Sequence, residues 1–277
     1  MVDGYNYGSN PKPVTKGIIC CMDGRGNFEV DKENNSDAVV LRGPGPNLFA
    51  NEMRTAVKKA LDKYDDLTEF VLMPHMRCGA MGAVNDTLHL DKKADPQIYS
   101  SLIQPFHDRG IKFKDRDDLE SAVNPATQKA QLEEIIDEWR SEWEAKNGRP
   151  ARQVEVLVKV WDPHAVVPAV PSDYEEHKHT ILVANPSRSH YDYMLEDVSE
   201  LHGKQVSMWG TYVIQPPDMA AIKLAVTGLG IKDLIVYVEN KEASRDMQKL
   251  IRELKDKDFM QGVKLSVADR TKSKVRS

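Results

Sequence analysis

The sequence has few cysteines, no long apolar stretch and no excess of positive charge. Its 277 residues include only three cysteines, Cys20, Cys21 and Cys78, and so small and odd a number argues against a disulfide framework. The thiols are then available for metal binding or for chemistry. No apolar stretch approaches the ~18 residues of a membrane-spanning helix, and the first residues lack the apolar segment of a signal peptide. We therefore expect a cytoplasmic protein with no membrane partner.

The charge balance also excludes a class of partner. The chain has 38 basic and 43 acidic residues, a net charge of −5 and a pI of about 5.9. Proteins that bind nucleic acid through their surface charge are typically basic, so we expect no nucleic-acid partner. The content of 40% hydrophobic and 29% charged residues is that of an ordinary globular protein.

Short apolar runs alternate with amphipathic segments, which is typical of α/β proteins. The predicted strands are 16–21, 37–42, 69–73, 111–113, 154–161, 233–238 and 263–267, with strand-and-loop segments at 180–188 and 209–217. The predicted helices are 46–64, 96–109, 127–146, 219–227 and 244–257. This order predicts a mostly parallel β-sheet flanked by helices, in which ligands bind at the carboxyl ends of the strands.

The second half of the chain repeats the pattern of the first, which indicates an internal duplication. Residues 180–188 parallel 17–25, 209–217 parallel 37–45, 233–238 parallel 69–74, and 244–267 parallel 96–113. The sequence therefore predicts two units, 1–172 and 173–277. A generic series of β-α-β units is the alternative, because it would produce much of the same pattern.

Two short motifs contain the residues with the clearest chemistry. Cys21, Asp23 and Arg25 follow the first predicted strand, and His75 and Cys78 follow the third, 54 residues after Cys21. Cysteine thiolate and histidine nitrogen are the ligands that zinc prefers. Because adjacent parallel strands lie ~5 Å apart, these strand ends can converge on one ion. Three protein ligands leave the fourth tetrahedral position for water, as a catalytic zinc site requires.

The pattern C-x-D-x-R followed by H-x-x-C-G resembles the β-class carbonic anhydrases. The similarity covers residues 15–82, includes the intervening DAVVLRGPGPN, and extends more loosely to the strand that ends at Trp161. It implies a β-carbonic-anhydrase-like fold, one Zn²⁺ per chain and reversible hydration of carbon dioxide to bicarbonate by a zinc-bound hydroxide, which is a lyase reaction. The implied roles are Cys21, His75 and Cys78 as metal ligands, Asp23 and Arg25 as the catalytic dyad, and the Gly79 N–H as a substrate-binding donor.

The second unit lacks these ligands on the alignment above. Ala184 replaces Cys21, Pro186 replaces Asp23, Glu239 replaces His75 and Glu242 replaces Cys78. Members of the family commonly pair protomers, so the resemblance implies a pseudo-dimer within this chain, in which the degenerate repeat walls the active site. A homo-oligomer of such chains is a further expectation.

Other interpretations of the motifs stay open at this stage. Cys21 and Cys78 can be small buried hydrophobic residues, or Asp23 can complete a closed, structural zinc site. The family pattern also differs at Pro74, at Gly24, where serine is usual, and at Arg77. A cationic Arg77 near the site favours two alternatives: a hydrolase of a related heterocumulene such as carbon disulfide or carbonyl sulfide, and a non-catalytic zinc protein that binds an anion or a partner.

Overall fold

The structure is a computed structural model of the chain. It describes residues 13–27, 30, 38–45, 47–75, 78, 80, 82–84, 95–112, 119, 123–161, 179–186, 198–199 and 210–272, except for the side chains of Arg25 and Glu242.

Strands in the described part of the chain form two sheets of four, and every pair within a sheet is parallel. The first sheet has β1 (Lys16–Cys21), β2 (Ala38–Gly43), β3 (Glu69–Met73) and β4 (Glu155–Val158) in the order β2-β1-β3-β4. The second has β5 (Thr180–Val183), β6 (Tyr212–Ile214), β7 (Asp233–Val238) and β8 (Lys264–Asp269) in the order β6-β5-β7-β8. The central strands are almost wholly buried, as parallel strands covered on both faces must be. The prediction of an α/β fold is confirmed.

Helices cover the sheets, and four of them begin at a residue whose side chain caps the helix. They are α1 (Asn51–Lys63), α2 (Pro96–Ile98), a π-helical segment (Tyr99–Ile103), α3 (Gln104–Asp108), α4 (Pro125–Asn147), α5 (Met219–Gly228) and α6 (Lys241–Lys255). The Asn124 side chain accepts a hydrogen bond from the Thr127 N–H at the start of α4, and Asn240 does the same for Ala243 in α6. Gly148 ends α4 in the left-handed conformation, with φ of 66°, which favours glycine.

The two sheets have the same strand order, which suggests an internal duplication. They meet where β2 and the residue after β6 lie side by side. The Gln215 N–H donates to the Arg42 carbonyl at 3.0 Å, and the Arg42 N–H donates to the Gln215 carbonyl. This bridge is antiparallel, as expected for equivalent edges related by an approximate two-fold axis. The predicted boundary between residues 172 and 173 lies outside the described residues.

Three apolar clusters form the core. One lies on the face that both sheets share and includes Ile18, Val40, Leu182 and Val213. A second packs α1 and α4 against the first sheet, and the third packs α5 and α6 against the second sheet. Within the described ranges, none of the helices has both the length and the apolar character needed to cross a bilayer.

The structure corrects the predicted strand at 111–113 and the helix–strand match of the repeat. Ile111 and Lys112 lie in no strand, and residue 113 is not among the described ones. The fourth place in the first sheet belongs to β4, so α6 and β8 are equivalent to α4 and β4, and not to 96–113. The short apolar run at 111–113 was ambiguous, since only pairing with a neighbouring strand makes such a run a strand.

The alignment of the repeats was also wrong by one residue. Lys16 pairs with Glu69 and Thr180 pairs with Asp233, so Thr180 is equivalent to Lys16 instead of Gly17. Asn185, and not Ala184, therefore takes the position of Cys21. Pro186 takes that of Met22, and not that of Asp23. Burial agrees, since Cys20 and Ala184 lie in one apolar cluster. A strand that is buried on both faces lacks the alternation of polar and apolar residues that would fix its alignment with the equivalent strand of the other repeat.

Candidate metal centre

Cys21, His75 and Cys78 meet at the carboxyl edge of the first sheet. Cys21 ends β1, and His75 follows its neighbour β3, whose last residue pairs with Cys20. The two Sγ atoms lie 3.3 Å apart, and the three ligand atoms all lie within 4.8 Å of one another. Two atoms bound tetrahedrally to one zinc ion, at about 2.0–2.3 Å each, lie about 3.6–3.8 Å apart. The donor set and its spacing fit a zinc ion after shifts of less than about 1 Å.

The surroundings of Cys21 favour the thiolate. Burial alone raises the pKa of this thiol, because a buried anion loses its hydration. The hydrogen bond with Cys78 and the charge and hydrogen bond of His75 outweigh burial and the charge of Asp23, so the pKa of Cys21 lies well below its ordinary value. The thiolate is the form that binds metal. To bind a metal ion together with Cys21, His75 and Cys78 would each have to give up the proton that lowers this pKa.

Asp23 lies close to the three ligands without joining them. Its side chain is buried, and its charge acts on the Cys21 thiol. Among the described residues, the group of potential ligands contains only Cys21, His75 and Cys78. The Arg25 backbone lies in the 3-10 turn Gly24–Gly26, but its side chain, Arg77 and Gly79 are not among the described parts of the chain, so their predicted roles stay predictions.

Arg42 is a part of the site that the sequence analysis missed. Its side chain is 0% exposed. Its Nε donates to the Cys21 carbonyl at 2.8 Å, its Nη2 donates to the Asp23 carbonyl at 2.8 Å, and its Nη1 donates to the Asn27 Oδ1. A buried guanidinium requires such partners. The available signal was an arginine near the end of an otherwise apolar strand, where a charge needs a specific reason.

The second half holds the turn that contains Asp23. The Val213 N–H donates to the Met22 carbonyl at 2.9 Å, and the Asn27 Nδ2 donates to the Thr211 carbonyl at 3.1 Å. A Cβ atom on Gly24 would lie only 2.6 Å from the Gly210 carbonyl carbon and from the Thr211 oxygen. This close approach explains the glycine at position 24, since no side chain fits there.

Helix α5 of the second half belongs to the same buried apolar cluster as part of the site. Cys21, Met22 and Cys78 belong to the same buried cluster as small residues of this helix, among them Ala220 and Ala221. Farther along the helix, a Cβ atom on Gly228 would lie 3.0 Å from the Ala83 Cβ. Small residues on α5 therefore let the helix approach the segment that follows Cys78.

Cys20 faces away from this centre, as the alternation of a strand predicts. It lies in the cluster on the shared face of the two sheets, with its Sγ 3.9 Å from the Leu41 carbonyl. Burial, opposed in part by the charge of Arg42, raises the pKa of the Cys20 thiol to about 12. Cys20 is therefore a core residue in its neutral form.

Comparisons of the chain with family models, with curated proteins and with solved structures find no match. The functional assignment below depends on the chemistry of the site.

Proposed function

We propose that the chain binds one zinc ion through Cys21, His75 and Cys78 and catalyses the reversible hydration of carbon dioxide to bicarbonate. The carrying observation is the group of three ligand atoms within 4.8 Å of one another at the carboxyl edge of a parallel sheet. Zinc at such a site supplies Lewis acidity, which lowers the pKa of water to about 7. The ligand set suits this chemistry, because two thiolates and one neutral imidazole balance the charge of the ion.

Asp23 is the proposed orienting residue. Its buried carboxylate lies beside the ligands and outside the ligand group, so it can accept a hydrogen bond from the attacking hydroxyl group and direct the oxygen lone pair at carbon dioxide. Arg42 holds the Asp23 and Cys21 carbonyl groups at 2.8 Å each. These bonds fix the turn, so the carboxylate needs little reorganisation during the reaction.

The second half is the proposed internal partner that completes the pocket. Its backbone holds the Met22–Asn27 turn, and α5 adds small apolar side chains to the cluster that contains two ligands. An apolar wall suits carbon dioxide, which has no net dipole and binds weakly to polar groups. On this proposal a single chain supplies both halves of the family's usual dimer, and larger assemblies are not required for activity.

Stopped-flow measurement of carbon dioxide hydration, together with the zinc content of the purified protein, tests the proposal. Cys21→Ser is expected to lose zinc and activity together, whereas Asp23→Ala is expected to keep zinc and lose at least about 10²-fold in rate, since a positioned acid–base group contributes 10²–10⁴-fold. Cys20→Ala is the matched control on the same strand and should keep both, because its side chain faces the opposite side.

Two outcomes point to other functions. Zinc-loaded wild type that does not hydrate carbon dioxide but hydrolyses carbonyl sulfide or carbon disulfide would assign the same centre to a related heterocumulene. Zinc-loaded wild type inactive on all three substrates would indicate a non-catalytic zinc protein. Wild type that binds no zinc would refute the metal site itself.

A further inference from the structure

Trp161 lies directly against the histidine of the candidate metal centre. Beyond the ends of β3 and β4, His75 and Trp161 form a parallel bridge, in which the backbone N–H of Trp161 donates to the Pro74 carbonyl at 3.2 Å. The imidazole and indole rings stack, with centroids 4.7 Å apart and planes inclined by 28°. Trp161 is 7% exposed, whereas His75 is half-buried, so the buried indole supports one face of the imidazole.

The same indole also contacts the turn that contains the predicted dyad. A Cβ atom on Gly26 would lie 2.7 Å from Cζ2 of Trp161 and 3.2 Å from its Cη2. Gly26 is the last residue of the 3-10 turn that follows Asp23, and its N–H donates to the Asp23 carbonyl at 3.0 Å. The indole therefore touches both His75 and the Asp23 turn.

We infer that Trp161 is a positioning residue of the metal centre, which sets the ring plane of His75 and keeps it in register with the Asp23 turn. The inference extends the proposed zinc site. The χ2 torsion of histidine has a broad and roughly two-fold preference, so its ligand direction depends on the packing around the ring. Loss of a residue that orients a metal ligand typically weakens metal binding by about 10–100-fold.

We expect the ring surface of Trp161, and not its indole N–H group, to position His75. Its Nε1 is buried and has no hydrogen-bond partner among the described residues. A phenylalanine ring would keep most of the stacking surface and remove a donor that costs about 1–3 kcal/mol when unsatisfied. Trp161→Phe should therefore preserve what Trp161→Leu loses.

Metal binding by the full-length protein tests the inference without reference to activity. Zinc affinity is measured by competition with a chromophoric chelator, and the ligand geometry by the visible spectrum of the Co²⁺-substituted protein. Trp161→Leu is expected to weaken zinc binding 10–100-fold and to change the cobalt spectrum. Trp161→Phe should stay within about threefold of wild type with an unchanged spectrum, since the ring is retained.

Two further variants separate positioning from a general loss of stability. Trp139 is similarly buried but lies on α4, where its Nε1 donates to Asp62 of α1, so Trp139→Leu should lower thermal stability and leave zinc affinity unchanged. Gly26→Ala keeps the indole ring but displaces it, so this variant should also weaken zinc binding. It therefore tests the inference even if Trp161→Leu folds poorly.

Wild-type zinc affinity and an unaltered cobalt spectrum in Trp161→Leu or, where that variant does not fold, in Gly26→Ala would overturn the inference. Equal weakening by Trp139→Leu would overturn it as well. Zinc-loaded wild type without hydration activity would refute the proposed reaction and leave the role of Trp161 standing. A wild type that binds no metal would refute both.

Discussion

Replacement of Asp218 by asparagine should stabilise the protein near neutral pH. Asp218 is 8% exposed and caps α5, where its Oδ1 accepts hydrogen bonds from the Ala220 and Ala221 N–H groups at 2.8 and 3.3 Å. Burial, and then the charge of Glu52 in the first half, raise the pKa of Asp218 from 3.8 to about 6, although the two N–H groups act in the opposite direction. Asparagine caps a helix as well as aspartate does and has no charge to bury.

The size and the sign of the expected change in the free energy of unfolding follow from the linkage between proton binding and folding. A difference of about 2 pH units between the unfolded and folded pKa corresponds to about 3 kcal/mol, at ~1.4 kcal/mol per unit. The folded state holds the proton more tightly, so the stability that the protonated carboxyl provides is complete below pH 3.8 and is lost as the pH rises through about 6. Asp218→Asn should therefore raise the free energy of unfolding by about 1–3 kcal/mol at pH 7–8 and by little at pH 4.

Urea unfolding of both proteins at several pH values between 4 and 8, followed by circular dichroism, measures this difference. Glu52→Gln is a useful companion, since Glu52 is the secondary cause of the raised pKa and its Oε2 is buried without a hydrogen-bond partner among the described residues. Its gain should be smaller than that of Asp218→Asn. A stabilisation that is the same at every pH, or a loss of stability at pH 7, would refute the reasoning.

Three further predictions concern the site and its support. Arg42→Lys should lower the free energy of unfolding by about 2–4 kcal/mol, because a single ammonium group cannot replace the guanidinium hydrogen bonds to Cys21, Asp23 and Asn27. Chemical denaturation measures this change, and an unchanged free energy of unfolding contradicts the prediction. Gly24→Ser should lower the free energy of unfolding by about 1–3 kcal/mol, because the new side chain meets the Gly210 and Thr211 backbone. Thermal unfolding should show a lower melting temperature, and an unchanged one contradicts this prediction. Removal of zinc by a chelator should lower the melting temperature of the protein, because a ligand that binds only the folded state stabilises that state. Excess zinc at about 1,000 times Kd should raise the free energy of unfolding by ~4 kcal/mol. Calorimetry with and without chelator tests this, and identical traces contradict it.

Most strands and helices, and the grouping of the three candidate ligands, were predictable because the sequence signals for them are local. Apolar runs that end in turns predict the strands, and residue type together with the position after a strand brought Cys21, His75 and Cys78 together as candidates. The structure brings these side chains within reach of one ion, while zinc itself stays a prediction. Caps such as Asn124 also follow from neighbouring residues.

The missed features depend on contacts between distant residues. The bonds of Arg42 and the stack of Trp161 on His75 join segments 15 to 86 residues apart. A sequence pattern gives no direction for such side chains. The one-residue error in the repeat alignment also comes from missing long-range contacts. Because β1 and β5 are apolar on both faces, only their pairing with β3 and β7 shows which of their residues are equivalent.

The second half contains no cysteine, and its support of the first half requires none. What it supplies to the Asp23 turn is backbone, namely the Val213 N–H and the Thr211 carbonyl. To the cluster that contains Cys21 and Cys78 it contributes apolar side chains, among them the small residues Ala220 and Ala221 of α5. Neither contribution needs a cysteine or a histidine at the carboxyl edge of the second sheet. We therefore expect substitutions at the carboxyl edge of the second sheet to leave the first site intact, whereas a bulky residue on α5 or a shift of β6 would damage it.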